Sequence, residues 1–174
     1  MDTMFNRYKF PPCILDRWVE LNSQDKMQWL DMAKERCFVG SSQPYVPIPN
    51  RTIELRGELI IDELSFYCAF GEAVNGPGGY FGMSFHGFDD CLFGGFGLEL
   101  PYTVIWRNSA ISKRNLGAQV LADWMAESDD ELWREIRESW GSEADTFFDV
   151  LVNAMRSVPE RCPYKNSTVL VELL

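Results

Sequence analysis

His86, Asp89, Asp90 and Cys91 stand close together in the stretch GGYFGMSFHGFDDCL, Gly78 to Leu92. On a helix, an imidazole followed three and four positions later by carboxylates can direct nitrogen and oxygen at one metal ion or one proton. The chain has no other histidine, so a metal would take its remaining ligands from oxygen or sulfur elsewhere, and the sequence shows no cluster with that spacing. Cys91 lies about 140° around such a helix from His86, which is poor geometry for a thiolate–imidazole pair. The chain has no Gly-x-Ser-x-Gly elbow, no GxxxxGKS phosphate loop and no GxGxxG opening a helix after a strand. The GGFG segment from Gly94 to Gly97 is too short to read as a phosphate cradle. A metal-dependent or thiol enzyme built on these four residues stands as one alternative.

The residues need a scaffold, and the flanking sequence describes one. With a helix starting near Ser84, a turn of about 100° per residue puts Phe85, Phe88 and Leu92 on a single face. That face is expected to be buried. His86, Gly87 and Asp90 then point almost the opposite way, with Asp89 on one flank and Cys91, read as half-buried, on the other. Ser84 can cap the helix by accepting from a free backbone N–H of the first turn. Gly79 and Gly82 let the chain bend tightly before it, which holds Tyr80 beside the acidic face.

The combination of Tyr80-Phe81-Gly82, the apolar and acidic run Phe85 to Leu92, and Pro101 to Arg107 as a strand ending in Trp-Arg resembles the barstar family of intracellular ribonuclease inhibitors. The resemblance covers Arg51 to about Asn115 well and Phe147 to Leu174 loosely. It implies an α/β fold and a basic ribonuclease as partner. It also implies that Asp90 enters the enzyme's phosphate-binding site and that Tyr80 packs on the partner's catalytic region. An active site built of Arg, Lys and His to hold phosphate can be filled by carboxylates on a rigid helix, so inhibition needs no chemistry from the inhibitor.

The chain departs from the best-known member, which has Asn, Leu, Asp and Ala before an aromatic. Here Ser84, Phe85, His86 and Gly87 precede Phe88, and Asp89 replaces an exposed Trp. One interface carboxylate has become His86 and another has appeared at Asp89. An unperturbed His86 would titrate near neutrality and make binding vary between about pH 5 and 8.

Periodicity assigns the remaining elements. Residues 1–50 read as a helical N-terminal extension with a Pro-rich linker: a short helix at Ile14 to Leu21, then one from Gln24 to about Cys37, capped by Ser23, with Met27, Leu30 and Lys34 at helical spacing. Trp18 and Trp29 are expected to pack against the main domain, and Gly40 to Asn50 reads as an extended linker because of its prolines. Thr52 to Leu55 suits a first strand and Arg56-Gly57 a turn. Asp62 can cap a helix to about Val74 with Phe66, Phe70 and Val74 on one stripe. Gly94 to Gly97 reads as a flexible loop. Tyr102 to Trp106 suits a buried central strand, and Ser109 to Leu116 a short helix or turn. Leu121 to Trp140 is amphipathic through Leu121, Trp124, Met125, Leu132, Trp133 and Ile136. Relative to a minimal barstar-like chain, which the resemblance supplies, it looks like part of a helical insertion at about 117–145. A helix through Phe147 to Met155 and a final strand, Thr168 to Leu173, complete residues 51–174. Strands separated by helices imply a small parallel sheet of about three strands with crossover helices.

Composition narrows the function classes. At 174 residues, 46% hydrophobic and 14% aromatic, the chain can bury a full core. Its apolar runs fall far short of the roughly 20 residues a membrane span needs, and the N-terminus lacks a signal-peptide apolar region, so a cytoplasmic location is expected. Five scattered cysteines without a CxxC pair favour free thiols. The net charge of −10 arises wholly in residues 51–174, where ten basic side chains face twenty acidic ones, and Gln119 to Asp149 alone holds ten acids against Arg134 and Arg137. Such a field repels nucleic acid and attracts basic proteins.

The expected protein is therefore an inhibitor of a cognate basic ribonuclease or nuclease toxin, acting as an immunity protein. It would have no catalytic residue, metal site or cofactor, and its contact set would be Tyr80, Gly82, Ser84, His86, Gly87, Asp89 and Asp90. An adaptor that kept the fold and lost nuclease binding is the other alternative.

Overall fold

The computed structural model describes residues 10–39, 45–127, 131–162 and 167–174. A helix, α1 (Ser23–Phe38), precedes the first strand, β1 (Arg51–Arg56). A single 3-10 turn at Gly57–Leu59 leads to α2 (Glu63–Asn75) and then α3 (Phe85–Cys91). After β2 (Tyr102–Arg107) come α4 (Ser109–Asn115), α5 (Ala118–Ala126), α6 (Glu131–Gly141) and α7 (Phe147–Arg161), and β3 (Val169–Leu173) follows them. The α/β architecture read from the sequence is the one observed.

The strands pair in parallel in the order β1-β2-β3, with Ile53 opposite Val104 and Val104 opposite Val171. Crossovers between parallel strands are right-handed almost without exception, so an order that never reverses puts both sets of helices on one face. Burial agrees with this. Ile53, Leu55, Tyr102, Val104, Trp106 and Val169 are buried on one side, while Thr52, Glu54, Thr103, Ile105, Leu170 and Glu172 on the other are exposed or half-exposed. The central strand is thus covered on one face only, although its apolar run suits a strand covered on both.

The covered face carries an aromatic core. Trp106 stacks on Phe66 at 5.5 Å and meets Phe148 at 4.6 Å, and Phe88 of α3 closes on Phe66 and Phe70 at 5.0 Å each. The Trp106 indole N–H donates to Ser112 Oγ (2.9 Å), which donates to the Gly57 carbonyl (3.0 Å), so the polar atoms of this region are paired. A Cβ at Gly57 would meet the Arg107 and Asn108 carbonyls, which is why the turn after β1 takes glycine. Asp62 caps α2 as expected, in a reciprocal box with Ser65.

The N-terminal extension differs from its expected form. Residues 14–20 run through turns, and Ile14 and Leu15 face solvent. Asp16 has a φ of 66°, off the right-handed path, and gives its N–H to the buried Glu72 carboxylate (2.8 Å), which also accepts from Gly78 N (3.2 Å). Asn22, one residue before Ser23, caps α1 through Asp25 N. The buried face of α1 is Lys26, Trp29, Leu30, Ala33 and Cys37, whereas Met27 and Lys34 are exposed. Trp18 and Trp29 are both in the core, and Lys26, 1% exposed, pairs with Asp62 at 2.9 Å. Of the linker read at Gly40 to Asn50, residues 40–44 lie outside the described part. The remainder is anchored, with Tyr45 buried and Ile48 bridged to Leu98.

The amphipathic stretch forms two helices, α5 and α6, with Leu121 and Trp124 buried and Met125, Ile136 and Trp140 half-buried. The side chains of Leu132 and Trp133 lie outside the described part. Trp124 and Trp140 both meet Phe85 of α3, at 5.1 and 5.6 Å. These helices therefore buttress the helix that carries the acidic residues.

Candidate functional site

Helix α3 is short, and packing behind it supplies most of its rigidity. Ser84 caps it, its hydroxyl accepting from Gly87 N at 3.3 Å. Phe85, Phe88 and Leu92 are buried, in agreement with the periodicity. Gly82 just before the helix has a φ of 86° and is itself buried, and a Cβ there would collide with the Phe88 backbone. Its role in the structure is to let the chain turn closely onto α3.

The outward residues fall into different environments. Ser84 and Asp90 are exposed, and His86 and Gly87 are half-buried. Asp89 is held by Arg161 of α7 in a bidentate pair, Nη1 to Oδ2 at 2.7 Å and Nη2 to Oδ1 at 2.6 Å. That guanidinium lies over Phe93 at 4.8 Å and over Trp140 at 5.0 Å, so it is clamped between rings as well as ion-paired. Among the described residues no cation pairs with Asp90. The two adjacent carboxylates are thus unequal, one neutralised from within and the other open.

Tyr80 does lie beside this helix, but under cover. It is 6% exposed, with its ring edge-on to Phe38 at 5.7 Å and to Phe96 at 6.2 Å. Its N–H donates to the Tyr45 hydroxyl (3.1 Å), and its carbonyl accepts from Asn75 Nδ2 (2.7 Å). Burial, with Cys91, Cys37 and Asp90 nearby, pushes its hydroxyl up to about 12. Asn75 also donates to the Phe96 carbonyl at 3.0 Å, so the glycine-rich loop expected to be flexible is tied to α2.

Neither enzymatic alternative gains support from this geometry. Cys91 is 2% exposed rather than half-buried, and burial holds its thiol far above the ordinary range, so it is a neutral packing residue. Burial and the nearby Arg137 outweigh Asp89 and Asp90 and push His86 below its ordinary value. The imidazole is therefore neutral at neutral pH, and the swing expected between pH 5 and 8 shifts to the acid side. Among the described residues no group of three His, Cys, Asp or Glu side chains is placed to hold a metal ion.

Sequence reasoning missed Arg161 and Phe38. Arg161 is 72 positions from Asp89, and no local spacing signals such a pair. Phe38 is an exposed residue at the end of α1, one position past the end expected at about Cys37. Among the described residues no helix is long and apolar enough to cross a membrane.

A family model described as Barstar (barnase inhibitor) matches residues 50–152. It begins just before β1, runs through the stretch read as an insertion and ends within α7. No curated protein and no solved structure matches the chain.

Proposed function

Because the chain belongs to the barstar family of ribonuclease inhibitors, we propose that it binds a cognate basic nuclease and blocks its active site with α3, protecting the cell that makes that nuclease. The observation that carries this reading is Asp90. It is an exposed carboxylate with no cation beside it among the described residues, on a helix whose other side is fixed in an aromatic core. A nuclease site must hold phosphate with cations, and a preorganised carboxylate offers those cations the same charge and acceptor atoms without a scissile bond. Asp89 contributes less, because its charge is already paired. Ser84, His86 and Gly87 line the rest of the exposed face, while Tyr80 and Gly82 support it from beneath.

The net charge of −10 adds long-range attraction for a basic partner and repels nucleic acid. Truncating one partner of a desolvated charge pair costs ~2–5 kcal/mol, at least about thirtyfold in Kd. The test is capture from a lysate of the organism that carries this sequence, comparing wild type with Asp90→Ala, then nuclease assays and Kd measurement on what is held. Expected is a basic nuclease that wild type binds and inhibits and that Asp90→Ala binds at least about thirtyfold more weakly. The variant should keep its melting temperature, whereas Phe88→Ala should lose ~3–5 kcal/mol of stability. Capture of no nuclease, or equal inhibition by Asp90→Ala, would overturn the reading.

A further inference from the structure

Phe38 is the last residue of α1, outside the family match, and it is 58% exposed. Its ring lies edge-on to Tyr80 at 5.7 Å and to Phe96 at 6.0 Å. Tyr80, the aromatic that the family resemblance assigns to the partner, is thereby covered, and Phe38 is the ring left facing solvent. The surroundings are apolar as well. Val39 and Val46 are 78% and 76% exposed; Val46 follows the tyrosine that holds Tyr80, and Ile48 is bridged to Leu98, two residues beyond Phe96. Tyr80 joins this patch to α3: its ring meets Phe38, and its hydroxyl lies 3.7 Å from where a Cβ on Gly87 would stand, one helical turn before Asp90.

We infer that Phe38 and the apolar rim around it form the second half of the nuclease-binding surface, packing against the partner beside the cation that Asp90 engages. This rests on the inhibitor reading above. The occupant is chosen by charge. An apolar patch bordered by an open carboxylate, on a strongly acidic chain, is complementary to a basic protein whose cation is ringed by apolar surface. Interfaces concentrate their binding energy in such places, with aromatic anchors at the centre and other contacts excluding water.

A cover that swings aside to uncover Tyr80 would use the same residues, but the anchoring of the arm argues against it. Moving α1 would expose Trp29 and separate Lys26 from Asp62. Helix α1 is part of the core, and its end is a fixed surface. The attachment therefore shifts the aromatic contact one layer outward, from Tyr80 to Phe38.

The experiment measures Kd and dissociation rate for the nuclease eluted from wild-type protein, against wild type, Phe38→Ala, Phe38→Arg and Asp90→Ala, with a thermal melt of each. Phe38→Ala is expected to bind at least about tenfold more weakly, mostly through faster dissociation, with an unchanged melt. Phe38→Arg should be weaker still, because it sets a cation against a basic partner. If Asp90→Ala loses binding while both Phe38 variants bind as wild type does, this inference fails and the inhibitor reading stands. Tighter binding by Phe38→Ala would mark Phe38 as a cover and overturn it. If wild type retains no nuclease, both fall.

Discussion

Asp89 and Asp90 differ by one position and about 100° around a helix, and that rotation separates a paired charge from an open one. The apolar side of the same helix was legible in the sequence, because Phe85, Phe88 and Leu92 follow the helical period. The inequality of the two aspartates was not, because it is imposed by Arg161 from the far end of α7. His86 shows the same limit. Its position was legible, but its titration depends on burial and on Arg137, which local spacing does not reveal. Since the fold depresses its pKa, its neutral form is the one that fits. The stability it contributes is present above its ordinary value of 6.5 and is lost as pH falls through the lowered one. Thermal melts of wild type and His86→Gln across pH 7 to about 4.5 test this. The wild-type midpoint should fall more steeply on acidification, and parallel curves would remove His86 from the pH response.

Two helix starts were legible from their capping side chains, while the start of α1 was read one residue late, at Ser23 instead of Asn22. Asp62 and Ser84 both cap the helices assigned to them. The failure at Ile14 to Leu21 has a specific cause: Asp16 turns out of the helical path to hydrogen-bond Glu72, a partner 56 positions away. Lys26 was equally unreadable, because a lysine inside an amphipathic pattern is normally solvated, whereas here it is buried against Asp62. Burial alone would raise the Asp62 carboxyl, but hydrogen bonds from Lys26 and Ser65 outweigh it and hold it below its ordinary range. The pair is therefore intact at neutral pH and is lost only in acid. Asp62→Asn keeps an oxygen to cap α2 and removes the charge, leaving the Lys26 ammonium without its counterion. Its cost should be ~3 kcal/mol, well above the ~1 kcal/mol typical of a lost cap. Urea unfolding with an unchanged slope measures it, and a loss no larger than that of a cap would mean that the pair does little to fix α1.

At the scale of the whole molecule, parallel pairing followed from the long helical connections, and the strand order then fixed which face they cover. The apolar run of β2 concealed the one-sidedness, because Ile105 belongs to the open face while looking like core. That open face ends at β3, a five-residue strand whose Leu170 is 54% exposed and whose outer edge has no partner strand among the described residues. Such a margin is a template on which a second copy of the chain can add its own strand. Glu172 is the one charge in β3 and points into this region. Replacing it should let copies zip together: Glu172→Val is expected to sediment as a concentration-dependent dimer or larger species, with α3 left free on the opposite side of the sheet. A variant that stays monomeric at high concentration would show that the strand's shortness alone protects it. Glu54 on the same open face is already paired with Arg107, so at the free margin of the sheet it is Glu172 whose charge would set one copy of the chain against another.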